Sequence, residues 1–233
     1  MKILAPAGRI SLLRPLKERD FALLWTGQAL SLLGDGFYLV AIAWQVYQLS
    51  NAPAALSAVG VAYTLPRTLL LLFGGVLSDR YDRRRLMLLA NLAGALSIGL
   101  IGALSVAGRL QLWEVLVLVA AYGSGTAIFI PSFGAVVPEL LDKELLPSAN
   151  ALAQLVRQIS VRLAGPALGG IVIALAGSGW AFMVDAGSFA FAAAMVALMR
   201  PRSFQRPAGQ SAWREALEGL RYVRGQPWLW VNI

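Results

Sequence analysis

The sequence contains neither cysteine nor histidine. Disulfides, thiolate nucleophiles, imidazole metal ligands and any histidine acid/base relay are therefore excluded within this chain, and neither a cofactor nor a metal site is expected. Charge is scarce as well. Only 14 % of the 233 residues are charged and 58 % are hydrophobic, against roughly 25 % and 45–50 % in an average soluble domain. Such a chain reads as a polytopic membrane protein. The basic N-terminus (Lys2, Arg9, Arg14, Lys17, Arg19) is followed by no short apolar core with a small-residue cleavage site, so the first apolar run reads as a retained span.

What the sequence does have is length of apolar run. A hydrocarbon core of about 30 Å takes about 20 helical residues, and six runs meet that length, at 21–48, 55–77, 86–107, 112–137, 150–176 and 180–199. The turns between them are short and punctuated, as in Asn51-Ala52-Pro53, Gly108-Arg109 and Gly177-Ser178-Gly179. Neighbouring spans must therefore run antiparallel. The expected fold is an all-α integral membrane bundle of six transmembrane helices.

The net charge of +8 has a position as well as a size. Sixteen of the twenty lysines and arginines fall in the N-terminal segment and in the connections that lie on its side of the membrane. Under the positive-inside rule that side is cytoplasmic. Both 1–20 and 200–227 are then expected inside, in a cytoplasmic (inner) membrane, and no nucleic acid is needed to explain the basic balance. Trp113 and Trp180 sit beside the opposite turns, as interfacial aromatics do. After the bundle (21–199) comes a polar linker, 200–227, in which 213–224 alternates as an amphipathic helix for the membrane surface. The run 228–233 reads as the start of a truncated seventh span.

Several ionic and polar residues interrupt the apolar runs. Asp35, in Gly34-Asp35-Gly36, lies fourteen residues beyond Phe21, about 21 Å along a helix and so near mid-membrane. A carboxylate there costs about 2.5–3.5 kcal/mol on insertion scales and usually faces a cavity or a partner charge. It is either an acid linked to substrate or protons, or a buried ion-paired or hydrogen-bonded packing group, or an acid nearer the outer interface. Arg67 follows Pro66 and is expected to pair with Asp35 or a carbonyl, or to line a cavity. Gln154, Gln158 and Arg162 are spaced by four, which places them on one helix face. Arg157 adds a further charge to this run, and such a face cannot meet lipid. Asp185 falls about five residues into the sixth run and reads as shallow and structural. Gly123-Ser124-Gly125 stands in the fourth run where Gly34-Asp35-Gly36 stands in the first. Two inverted three-helix repeats would leave that trace, and so would glycine packing.

The stretch GGVLSDRYDRRR, residues 74–85, joins the second run to the third. It resembles the loop between the second and third helices of major facilitator superfamily transporters. Gly75, Leu77, Asp79, Arg80, Arg83 and Arg84 fit that pattern, and Asp82 replaces its glycine. GPALGG, residues 165–170, is similar to the end of the antiporter motif on the fifth helix of exporting members, through Gly165, Pro166, Gly169 and Gly170. Its physical content is a weakened helix with a bare backbone surface, which either bends or simply packs closely. Together with 23–35 and 148–152, these features resemble the drug:proton antiporter group of macrolide efflux proteins and the enterobactin exporter.

The resemblance implies the six-helix N-terminal half of a twelve-span permease, exporting amphipathic small molecules such as drugs or siderophores, driven by proton antiport with alternating access. Asp35 would then be the coupling acid, Arg67 and Arg162 its charge partners, and Gln154 and Gln158 cavity donors. Asp79, Arg80, Arg83 and Arg84 would form a cytoplasmic gate, with Asp79 meeting a helix of a second six-helix half that this chain lacks. Two other classes stay open. One is a truncated, non-transporting membrane protein or partner-binding half-transporter subunit. The other is an intramembrane enzyme, which would need nucleophiles or ligands converging at one depth, whereas Asp35 and Asp185 read as lying at different depths.

Overall fold

In a bilayer a spanning backbone has to satisfy its own polar groups, so each apolar run can cross only as a helix. The computed structural model describes residues 12–201, and among them there are helices and turns but no strand. The spans are α1 (Arg19–Leu49), α2 (Pro53–Arg80), α3 (Arg83–Val106), α4 (Leu112–Leu140), α5 with α6, and α7 (Ser178–Leu198). The fifth span is composite. An α-helix, α5 (Leu146–Ile159), passes through one π-helical turn (Ser160–Ala164) into α6 (Gly165–Ala176). All six are long and apolar enough to cross a membrane. The linker with its amphipathic helix (202–227), the seventh-span segment (228–233) and the first eleven residues lie outside the described residues.

Local chemistry sets the ends of these helices. Pro53 opens α2 in the first turn, where its missing N–H costs nothing. Asp82 accepts a hydrogen bond from the Arg84 amide at 2.9 Å and so caps α3, which gives a physical role to the residue that departs from the family loop. At α4, Gln111 and Glu114 form a reciprocal capping box, with the Gln111 amide donating to Glu114 Oε2 at 2.8 Å. Gly177 (φ +91°) turns the chain from α6 into α7 in a conformation that side chains disfavour.

The bundle is held by a few close pairings. Helix α2 packs on α4, α7 on both α1 and α3, α3 on α4, and α1 on the fifth span. Exchanging spans one, two and three for four, five and six maps these pairs onto one another. The closest approaches occur at glycine. Gly34 faces Asp185 and Ser188 of α7, Gly36 faces Gly165 and Pro166, Gly169 faces Phe37, Gly74 faces the Ala127 carbonyl, and Gly123 faces the Tyr63 carbonyl. Gly75 and Gly170 face open space instead. An upper core gathers Phe37, Tyr38, Ile98, Val115 and Phe182, and a lower one Phe21, Leu24, Met87, Val136 and Leu140.

Polar ties fix α7 at each end. At the far end Gln45 Oε1 accepts from the hydroxyls of Ser105 and Ser178, both at 2.6 Å, linking α1, α3 and α7. At the basic end Arg84 donates to the carbonyl of Val196 at 2.9 Å and to that of Ala197, while Arg19 donates to Leu198 at 3.2 Å. Cations belong at a helix C-terminus, whose last carbonyls have no intrahelical partner. The second and fifth spans are the least buried, with 11 % and 17 % of their most apolar stretch inside the bundle, against 39 % or more for the others.

Two stability measurements follow. A methyl group on Gly165 would stand 2.7 Å from both Gly36 Cα and the Leu33 carbonyl. Gly165→Ala should thus cost about 1–3 kcal/mol, whereas Gly170→Ala should be neutral or slightly stabilising, because nothing lies within 4 Å. Thermal unfolding of the detergent-solubilised variants, followed by circular dichroism, separates the two. By the same assay Arg84→Gln should lose about 1–2 kcal/mol through the exposed end of α7.

Candidate functional site

The helix turn carrying Asp35 is squeezed between α7, at Gly34, and the start of α6, at Gly36. Asp35 itself points into a cavity of about 570 Å³ whose wall draws on α1, α2, α3, α4, α5 and α7. That volume suits a small molecule, as does the mixture of aromatic and polar groups around it. The Tyr122 hydroxyl donates to Asp35 Oδ1 at 2.9 Å. Tyr122 is the hub of an aromatic cluster, with ring centroids 5.5 Å from Tyr38, 5.4 Å from Tyr63 and 5.5 Å from Phe189. On the polar side stand Arg67, Asn91, Gln154 and Arg157. Asn91 is held by its Nδ2, which donates to the Met87 carbonyl at 2.8 Å.

Of the residues singled out in the sequence, Asp35, Arg67 and Gln154 meet at this cavity. The expected pairing of Arg67 with Asp35 is corrected: no salt bridge joins them, and the Arg67 guanidinium lies over the Tyr63 ring, 5.5 Å from its centroid. Residues four apart on α2 share a face, so arginine and tyrosine stack along their own helix. Arg157 lines the same cavity as Asp35. Gln158 and Arg162 are exposed and absent from the cavity wall. The four-residue spacing assumed a continuous α-helix, and the π-turn at Ser160–Ala164 interrupts it, so Arg162 leaves the face that Gln154 occupies. From this span the polar residues on the wall are Asn150, Gln154 and Arg157.

Tyr122, Tyr63 and Asn91 were not singled out in the sequence. A tyrosine beside Gly123-Ser124-Gly125 reads as packing, and in part it is, since Gly123 lies against the Tyr63 carbonyl. Asp185 also differs from expectation. It is not shallow but 0 % exposed, and its Oδ1 faces Gly34, which places it at the level of Asp35.

The segment 74–85, which is helical except at Tyr81 and Asp82, forms a compact ionic joint. Arg83 pairs with Glu139 at the end of α4, lies 3.9 Å from Asp79 Oδ1, and donates to the Ser78 carbonyl at 3.3 Å. One guanidinium thus ties α2, α3 and α4. The Asp79 side chain is 67 % exposed. Arg84 is committed to the end of α7, as described above. Gly165 and Gly169 press against α1 while Gly170 remains open, so the antiporter-type segment both packs and carries the bend.

With this geometry in view, similarity to known proteins becomes specific. Residues 10–231 match the model of the family described as transmembrane secretion effector, MFS_3. Macrolide efflux protein A of Streptococcus pyogenes is 27 % identical over 88 % of this chain and 51 % of its own length. The multidrug efflux pump Tap of Mycolicibacterium fortuitum is 30 % identical over 82 % of this chain and 48 % of its own. The enterobactin exporter EntS of Shigella dysenteriae is 27 % identical over 89 % of this chain and 50 % of its own. The chain spans about half the length of these curated relatives, and the relatives are transporters, a non-enzyme class. Six apolar helices, the 74–85 loop and the family match over nearly the whole sequence make this chain a member of the transmembrane secretion effector family of major facilitator transporters.

Proposed function

We propose that this chain is the N-terminal six-helix half of an efflux permease, and that the cavity at Asp35 receives an amphipathic small molecule for export coupled to protons. The observation carrying this reading is the meeting, in one 570 Å³ space, of a mid-span acid with a tyrosine donor, two arginines, side-chain amides and clustered aromatic rings. Aromatic faces would hold the apolar body of a substrate and the arginines would steer its polar groups. Asp35 sits where substrate and proton compete for one carboxylate. The names of the relatives, which speak of macrolides, multiple drugs and enterobactin, support the same substrate class.

A second six-helix half completes this reading. The second and fifth spans are the least buried, and the fifth exposes Gln158 and Arg162, which lipid would disfavour. A polar, weakly buried face inside a membrane suits another bundle, across which the two halves would rock in alternating access. The exchangeable pairing of spans one to three with four to six supports two inverted three-helix repeats. The distribution of lysine and arginine supports a cytoplasmic-membrane location with residues 1–20 and 200–227 inside. In that orientation the Arg83 joint is the cytoplasmic gate, and Asp79, 67 % exposed, lies on the surface that a second half would meet.

Inside-out membrane vesicles containing the complete permease test the coupling. Imposed acidification of the lumen should drive uptake of a labelled macrolide. Asp35→Asn should reduce that uptake by about tenfold or more, the ratio given by losing about 1.4 kcal/mol; unchanged pH-driven uptake in this variant removes Asp35 from coupling. Uptake by the 233-residue polypeptide alone would instead favour a self-sufficient transporter, and its absence the partner-dependent subunit. For the gate, Arg83→Glu should slow uptake, and adding Glu139→Arg should restore part of it. Failure of the double variant to recover separates a lost ion pair from a lost fold.

A further inference from the structure

A second acid lies in the interior, and the cavity chemistry leaves it without a role. Asp185 on α7 is 0 % exposed. The Ser188 hydroxyl lies 3.3 Å from its Oδ1 and 2.7 Å from its main-chain carbonyl, but Oδ2 meets no hydrogen-bonding partner among the described residues. Oδ1 faces Gly34, the residue before Asp35, and a methyl group at Gly34 would strike both it and the Ser188 hydroxyl. Asp185 therefore lies across the α1/α7 contact from the residue that precedes Asp35.

The described elements packed around Asp185 bring it acids and phenols but no cation. Helix α1 presents Asp35 and Tyr38, and α4 presents Tyr122. Helix α3 meets α7 through Gly94, Gly99 and Gly102 and has no ionisable side chain beyond Arg85. Helix α6 contains none at all. No lysine or arginine pairs with Asp185 among the described residues. An ionised Asp185 would leave a bare oxygen and a full charge in the interior, beside a second acid, with no cation to offset it. Asp35 differs on each count, because it accepts a hydrogen bond from Tyr122 and borders an open cavity that Arg67 and Arg157 also line. Two acids in unlike surroundings divide the roles of charged and neutral group.

We infer that Asp185 is a second proton-binding carboxyl of this site, holding its proton at Oδ2 while the neighbouring Asp35 carries the negative charge. The ligand is a proton, and no covalent step is involved. The site then has room for two protons, one on each acid, and its capacity is set by α7 as well as α1. The inference deepens the transport reading and depends on it only for what the proton is used for. Its occupancy is measurable without any transported molecule.

The test is infrared spectroscopy of the full 233-residue chain in lipid nanodiscs, with aspartate labelled by carbon-13 at the side-chain carboxyl, at pH 7. A carbonyl band of neutral aspartic acid, shifted by the label and by exchange into heavy water, is expected in the unsubstituted chain. It should survive in Asp35→Asn and vanish in Asp185→Asn. Absence of the band from the unsubstituted chain overturns the inference, as does its loss in Asp35→Asn. Loss of the band when sodium replaces choline in the buffer also overturns it, in favour of a sodium site. Should Asp185→Asn fail to fold, the comparison of the unsubstituted chain with Asp35→Asn still decides. A persistent band with no flux from the complete permease would remove the transport reading and leave the proton site standing.

Discussion

The close approach of α1 to its neighbours at Gly34 and Gly36 is the constraint on which the rest of this bundle depends. One glycine admits Asp185 and Ser188, the other admits the backbone of Gly165, and the residue between them is the acid that faces the cavity. A side chain at Gly34 would strike those of Asp185 and Ser188, and one at Gly36 would strike the backbone of Ser160 and Gly165. Small residues are how helices associate where no hydrophobic driving force exists between them. Here that packing rule also positions a carboxylate, since the two flanking contacts leave Asp35 a single direction to point. Fold and site are thus set by the same three consecutive residues.

The two least buried spans make physical sense together. Helix α2 contributes Tyr63 and Arg67 to the cavity and ends in the loop gathered by Arg83, while α5 contributes Gln154 and Arg157 before the π-turn. Each therefore has one face in the cavity, one against the bundle and one outward. The π-turn adds to this, because it places a locally different backbone next to Gly165 and Pro166, where the fifth span already lacks side-chain bulk. A deviation of this kind often accompanies function rather than stability.

Much of the fold was legible in the sequence because membrane helices announce themselves by length and polarity alone. All six apolar runs became spans, and the second and third begin two or three residues early where Pro53 and Asp82 supply helix starts that hydropathy does not weigh. The site was legible only in part. Asp35 stood out because an acid flanked by glycines in an apolar run has few explanations. Tyr122 did not, since an aromatic residue in such a run is ordinary, and its role depends on a partner 87 positions away. Arg162 was misplaced because a periodicity argument presumes an unbroken α-helix. Asp185 was misjudged because counting residues from a helix end estimates depth but not what stands beside it, and α1 stands beside it. The glycine motifs divided similarly: Gly74 and Gly165 are contacts, while Gly75 and Gly170 face outward.

Helix α7 is anchored at both extremities, by Gln45 through Ser178 at one and by Arg19 and Arg84 at the other. With α1 and α3 supplying those anchors, the three helices act as a stiff strut, and any rearrangement of the half has to be taken up by α2, α4 and the fifth span. The two acids consequently belong to different mechanical classes of environment. Asp185 lies inside that strut, against Gly34 of α1, whereas Tyr122 and Arg157 reach the Asp35 cavity from helices outside it. On the proposed reading, a bundle built this way would store one proton in a fixed compartment and meter the other by geometry.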